Sequence, residues 1–145
     1  MIDFKWTSAI QIGHPEIDQQ HQQLFLLGAA VVDSHKCTGA HKHAASQLQV
    51  FIAYAFEHFK YEEGLMRSAG YPLVDRHVKY HASLLSEIMV YCNKVHWGEN
   101  PNPEGFTKFL WNWLNLHIDI SDRELAAWLK SQEHDPMNAP SGVLC

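Results

Sequence analysis

Apolar residues recur at three- and four-residue steps in four stretches of the chain, each followed by glycine or proline. In the first, His21, Leu24, Phe25, Gly28, Val31 and Val32 share one face. This predicts a helix from an N-cap at Asp18 to about Ser34. The second runs from about Ala40 to Ala69, with Ala44, Leu48, Phe51, Ala55, His58, Glu62 and Leu65 in one stripe. Gly70 is placed to close it in a left-handed cap, with Pro72 just beyond. The third runs from about Leu73 to Val95 and carries Val74, His77, Val78, His81, Leu84, Leu85 and Ile88. The fourth opens at Asn102-Pro103, an N-cap followed by a first-turn proline. Its stripe is Phe106, Phe109, Leu110, Trp113, Leu114 and His117. Ser121 and Glu124 are spaced as a capping box, which predicts a further short helix ending near Pro136.

No strand-like alternation is sustained and no repeat is visible. Four helices with mostly short connections predict an all-α fold, an antiparallel up-down-up-down four-helix bundle, over residues 18–133. Residues 1–17 read as an extended arm whose Ile2, Phe4, Trp6, Ile10 and Ile12 pack on the bundle. Residues 134–145 read as a loose tail.

Length and charge narrow the function. At 145 residues the chain is one domain, long enough to bury roughly 68–70% of its unfolded surface without disulfide staples. A net charge of −5 argues against a nucleic-acid backbone or an anionic membrane as partner. Cys37, Cys92 and Cys145 form no CxxC pair, which fits a reducing compartment. No apolar run reaches signal-peptide or membrane-span length, so a cytoplasmic location is expected.

The 11 histidines equal all the lysines and arginines together. His58 and Glu62 lie four residues apart, as do His77 and His81, so each pair projects from one helix face about 6 Å apart along the axis. A shuffled chain of this composition would contain about one such pair of each kind, so the spacing alone carries little. Position carries more: both pairs, with His21 and His117, interrupt the stripes that should form the core. A buried carboxylate or a set of buried imidazoles needs a partner, and a metal ion satisfies several at once. Glu63, rotated about 100° from Glu62, reads as a solvated surface charge. His14, His35, His41, His43, His96 and His134 fall near helix ends or in loops and receive no role.

The donor set favours iron or copper over magnesium or calcium. No Glu-x-x-His motif of ferritin-like di-iron proteins is present, and no HExxH. In order, the chain carries Ile17-Asp18-Gln19-Gln20-His21 through Phe25, His58-Phe59-Lys60-Tyr61-Glu62-Glu63, His77-x-x-x-His81 and Trp113-Leu114-x-x-His117-Ile118-x-x-x-Asp122. Over about Phe4 to Leu129 this resembles the hemerythrin family, in particular its single-domain bacterial members. Trp6 also matches the arm of those members.

The resemblance implies two irons with an oxo or hydroxo bridge: His77, His81 and His117 on one, His21 and His58 on the other, Glu62 and Asp122 across both. These ligands and the bridge fill about eleven of about twelve positions, leaving about one open on the iron with two histidines. It further implies that O2 binds there reversibly, as a hydroperoxide, in a pocket of Leu24, Phe59, Trp113, Leu114 and Ile118. The chain is then an oxygen carrier or store rather than an enzyme, and small anions or nitric oxide are further ligands of the open position. A di-iron enzyme acting on nitric oxide or peroxide, or an O2 or redox sensor, stands as the alternative. One local feature is awkward. Five helical residues turn about 140° away from the starting face, so a break or π-bulge is expected between His117 and Asp122.

Overall fold

The four apolar stripes fold as helices and meet in one interior. The computed structural model describes residues 4–35, 41–99 and 103–133. Helix α1 spans Pro15–His35, α2 His41–Ala69, α3 Val74–His96 and α4 Pro103–Leu116. A π-helical turn, His117–Asp122, then leads into α5, Arg123–Glu133, with helical backbone angles on both sides of it. Helix α1 packs on α2 and α4, and α2 packs on α3. The α3–α4 seam closes the ring: Trp113 Nε1–H donates to the Leu84 carbonyl at 3.0 Å, and Tyr91 stacks on Phe109. Leu24, Phe25, Val31, Leu48, Phe51, Ile88, Phe106, Leu110 and Leu114 fill the interior. This is the antiparallel four-helix bundle that the periodicity predicts.

Glycine closes two of the helices for one physical reason. Gly70 has φ +72°, and Tyr71 N–H reaches back to the Met66 carbonyl while Gly70 N–H reaches Arg67. Gly98, at φ +76°, repeats the arrangement with Glu99 N–H on the Lys94 carbonyl. A side chain at such a φ costs roughly 1–2 kcal/mol. Gly70→Ala is therefore expected to lower the unfolding free energy by about that amount in urea titration.

Two boundaries differ from the sequence reading. Helix α1 begins at Pro15, three residues before Asp18, because the N-cap is His14. The His14 carbonyl accepts Asp18 N–H at 2.8 Å, its Nδ1 accepts Ile17 N–H at 3.3 Å, and proline follows at the first helical position. Asp18 instead turns its carboxylate outward to the arm. Ser121 does not start a new helix either: it lies inside the π turn. Glu124 faces Arg76 and Tyr71 rather than an N-terminal cap.

In the arm, Phe4, Trp6, Ile10 and Ile12 are half-buried against the bundle. Gly28 makes room for it, since a Cβ there would lie 2.5 Å from Phe4 Cε1. Beneath the arm a second cluster forms around Ile17, Met66, Tyr71 and Leu125. Ile2, the 36–40 loop with Cys37, Asn102, and the 134–145 tail with His134 and Cys145 lie outside the described residues. Among the described residues, no helix is long and apolar enough to cross a membrane.

Candidate metal centre

The six polar residues singled out on the stripes, His21, His58, Glu62, His77, His81 and His117, are buried, as is Asp122, which the resemblance added. The stripe period explains the first six. Asp122 needs the π turn, in which Arg123 N–H reaches the Ile118 carbonyl five residues back. The wider turn holds the five-residue step from His117 on the inward face, where a regular α-helix would carry Asp122 to the side.

The seven form two overlapping groups, in each of which the potential ligand atoms lie within 4.8 Å of one another. One is His21, His58, Glu62, His117 and Asp122; the other is Glu62, His77, His81 and Asp122. Glu62 and Asp122 belong to both. His21 Nε2 and His117 Nε2 approach Asp122 Oδ2 at 2.6 and 2.7 Å, and His77 Nε2 lies 3.2 Å from Oδ1. Glu62 Oε1 stands 3.2 Å from both His58 Nε2 and His81 Nε2. The resemblance places His117 with His77 and His81, whereas its ligand atom falls in the group of His21 and His58. Its Nε2 is 3.3 Å from His58 Nε2, and its ring centroid lies 5.3 Å from that of His81 and 5.4 Å from that of His58.

The donor set fits cations better than it fits hydrogen bonding. Among the described residues, both Glu62 oxygens, Asp122 Oδ1, His77 Nε2 and His81 Nε2 are buried without a hydrogen-bond partner. Leaving such groups unsatisfied costs roughly 1–3 kcal/mol each. Neutral imidazoles and shared carboxylates are what a pair of transition-metal ions takes.

The electrostatics point the same way. Burial pulls His58 down to about 4, against the opposing pull of Asp122. Burial, reinforced by His117 and His77, holds His81 down to about 2. His117 is lowered by burial as well. These rings are therefore neutral at pH 7, the state that ligates metal. Burial and the Asp122 charge push Glu62 well above the usual carboxylate range. Burial acts on Asp122 too, but His117, Glu62 and His21 together outweigh it and hold it well below that range.

Outer partners fix two of the rings. His58 Nδ1–H donates to Gln20 Oε1 at 2.6 Å, and His81 Nδ1–H donates to Glu63 Oε2 at 2.9 Å. Both tautomers leave the Nε2 lone pair facing the centre. Glu63 is thus no solvated surface charge: its side chain is 20% exposed and it orients His81 from the neighbouring helix. The arithmetic of a single helix missed it because the partner lies on α3. Phe59 stacks on the other face of His81, with centroids 4.0 Å apart. Glu63→Ala is expected to weaken metal binding about 10–100-fold in chelator competition.

The five apolar residues expected around a bound ligand, Leu24, Phe59, Trp113, Leu114 and Ile118, are all buried in the core that adjoins the site. None of them lines the crevice of about 340 Å³ bounded by Tyr71, Arg76, His77, Tyr80 and Glu124, which meets the site only through His77.

Fold and site together define a four-helix bundle whose interior gathers two overlapping groups of histidines and carboxylates able to bind metal. The family model for the hemerythrin HHE cation binding domain matches residues 13–129, and the chain belongs to the hemerythrin family. It is 29% identical over 128 residues to a bacteriohemerythrin of Stenotrophomonas maltophilia, covering 87% of this chain and 81% of that one. With a bacteriohemerythrin of Methylococcus capsulatus the identity is 31% over 121 residues, covering 81% and 90%. The crystal structure of a wild-type hemerythrin superposes with a TM-score of 0.76 at 27% identity, covering 85% of this chain and 95% of the other.

Proposed function

We propose that this chain binds O2 reversibly at a pair of non-haem irons, as a carrier, store or donor of oxygen. In this reading His77, His81 and His117 would hold one iron and His21 and His58 the other, with Glu62 and Asp122 available to both. The observation that carries the reading is the set of buried, hydrogen-bond-starved oxygens and imidazole nitrogens shared between two overlapping groups. When bound, the irons supply the electrons and the open coordination position that O2 requires.

The residues of the chain favour holding O2 over reducing it. Leu24, Phe59, Leu114 and Ile118 exclude water and offer no proton. Trp113 has an N–H, but that proton is committed to the Leu84 carbonyl. The Nδ1 protons of His58 and His81 point away to Gln20 and Glu63. A ligand in this region therefore meets no acid from these groups, which slows loss of a reduced oxygen species. Small anions and nitric oxide would compete for the same open position.

The test is stopped-flow mixing of reduced, iron-loaded protein with O2. A coloured adduct that returns to the starting spectrum under argon supports the reading. Irreversible oxidation within one cycle, or sustained consumption of nitric oxide or peroxide with an electron donor, overturns it.

A further inference from the structure

Residues 9–13 of the N-terminal arm are tied to two stretches of the bundle, and each lies beside a proposed metal ligand. On one side, the buried Asp18 accepts Ile12 N–H at 2.8 Å and Gly13 N–H at 3.1 Å. Asp18 sits one turn of α1 before His21. On the other side, Arg123 follows Asp122 directly. Its guanidinium donates to the carbonyl of Gln11 at 3.2 Å, to that of Ala9 at 3.4 Å and to Asp119 Oδ1 at 3.2 Å. Between these anchors Ile12 wedges onto the cluster of Ile17 and Leu125, one residue from each element. His21 and Asp122, the two residues so bracketed, make the shortest histidine–carboxylate contact of the centre at 2.6 Å.

From this we infer that arm residues 9–13 are a strap that holds α1 against the π turn and so sets the approach of Asp122 to His21. Arg123 and Asp18 are its positioning residues. The reason lies in the π turn itself. A π turn is a poorly favoured stretch of helix, and Asp122 faces inward only while that turn persists. The three Arg123 bonds fasten the outer side of the turn (Asp119) to a fixed backbone (Ala9 and Gln11). Without them the turn is free to relax toward α geometry and carry Asp122 off the His21 side.

The inference rests on the proposed two-iron site, and one experiment separates the two. Iron-loaded wild type, Arg123→Ala, Asp18→Asn and Val95→Ala are mixed with excess bipyridine chelator and iron release is followed by absorbance. Thermal melting of each metal-free protein is recorded in parallel. Val95 is buried near the C-terminal end of α3, about 21 Å along the helix from His81, so Val95→Ala reports general destabilisation.

Arg123→Ala is expected to release iron at least about tenfold faster than wild type, while Val95→Ala releases it at the wild-type rate even though it melts lower. Asp18→Asn, which keeps the side-chain shape but loses one of the two acceptors, is expected to fall between and serves if Arg123→Ala does not fold. Release from the folded strap variants within twofold of wild type overturns the strap, as does equal acceleration in Val95→Ala. A wild type that holds no iron pair overturns the two-iron reading instead.

Discussion

Glu62→Gln is expected to leave the protein with fewer than two irons per chain, while its metal-free form stays as stable as the metal-free wild type or more so. Glutamine keeps the shape of the side chain but removes the negative charge that both metal groups share. In the metal-free protein that charge is a liability. Glu62 is fully buried, both its oxygens lack hydrogen-bond partners, and burial drives its proton affinity up. Glu62→Leu makes the contrast sharper. An apolar group of similar size removes a buried polar mismatch, which is expected to stabilise the metal-free bundle by about 1–3 kcal/mol. Iron analysis by plasma emission and urea unfolding of the stripped proteins check the two halves. Full iron content in Glu62→Gln would contradict the bridging assignment.

The second large effect is on the protein without its metals. Ligands that bind only the folded state stabilise it by mass action, by about 4 kcal/mol when present at a thousand times Kd. Stripping the irons is expected to remove at least that much and lower Tm by roughly 10–20 °C. The sign follows from the site. Five imidazoles and two carboxylates converge in an apolar interior, and without cations they face one another across gaps such as the 3.3 Å between His58 Nε2 and His117 Nε2. Calorimetry before and after chelation measures the difference. Equal melting of the two forms would mean that the cluster does not hold metal in the folded state.

Most of the bundle and six of the seven candidate ligands were legible in the sequence because a helix reports its inward face through a period of 3.6. His21, His58, Glu62, His77, His81 and His117 interrupt that period where the core should be apolar. Asp122 lies off the stripes and was singled out only by the family resemblance, which then called for a break or π-bulge because His117 and Asp122 could share a face in no regular helix. What was not legible depended on a second element. Glu63 is off the inward stripe of α2, yet its length lets it reach His81 on α3. Asp18 has the chemistry of an N-cap, but its carboxylate serves the arm and the cap falls to His14. Ser121 and Glu124 have capping-box spacing, but the chain before them is already helical, so no helix end needs a cap. Met66, Tyr71 and Leu125 form their cluster only once α2, the α2–α3 turn and α5 meet. The histidine surplus likewise divides by position: five face the centre, and His14 caps α1. His43 and His96 are exposed, while the side chains of His35 and His41 and all of His134 fall outside the described residues.

Reversible binding of one O2 by two irons is read out by O2 uptake of reduced protein of known iron content. Two irons per chain and one O2 bound per two irons are expected, with the O2 released again when it is removed from solution and taken up in full on a second cycle. One iron per chain, or O2 consumed without being returned, would contradict it.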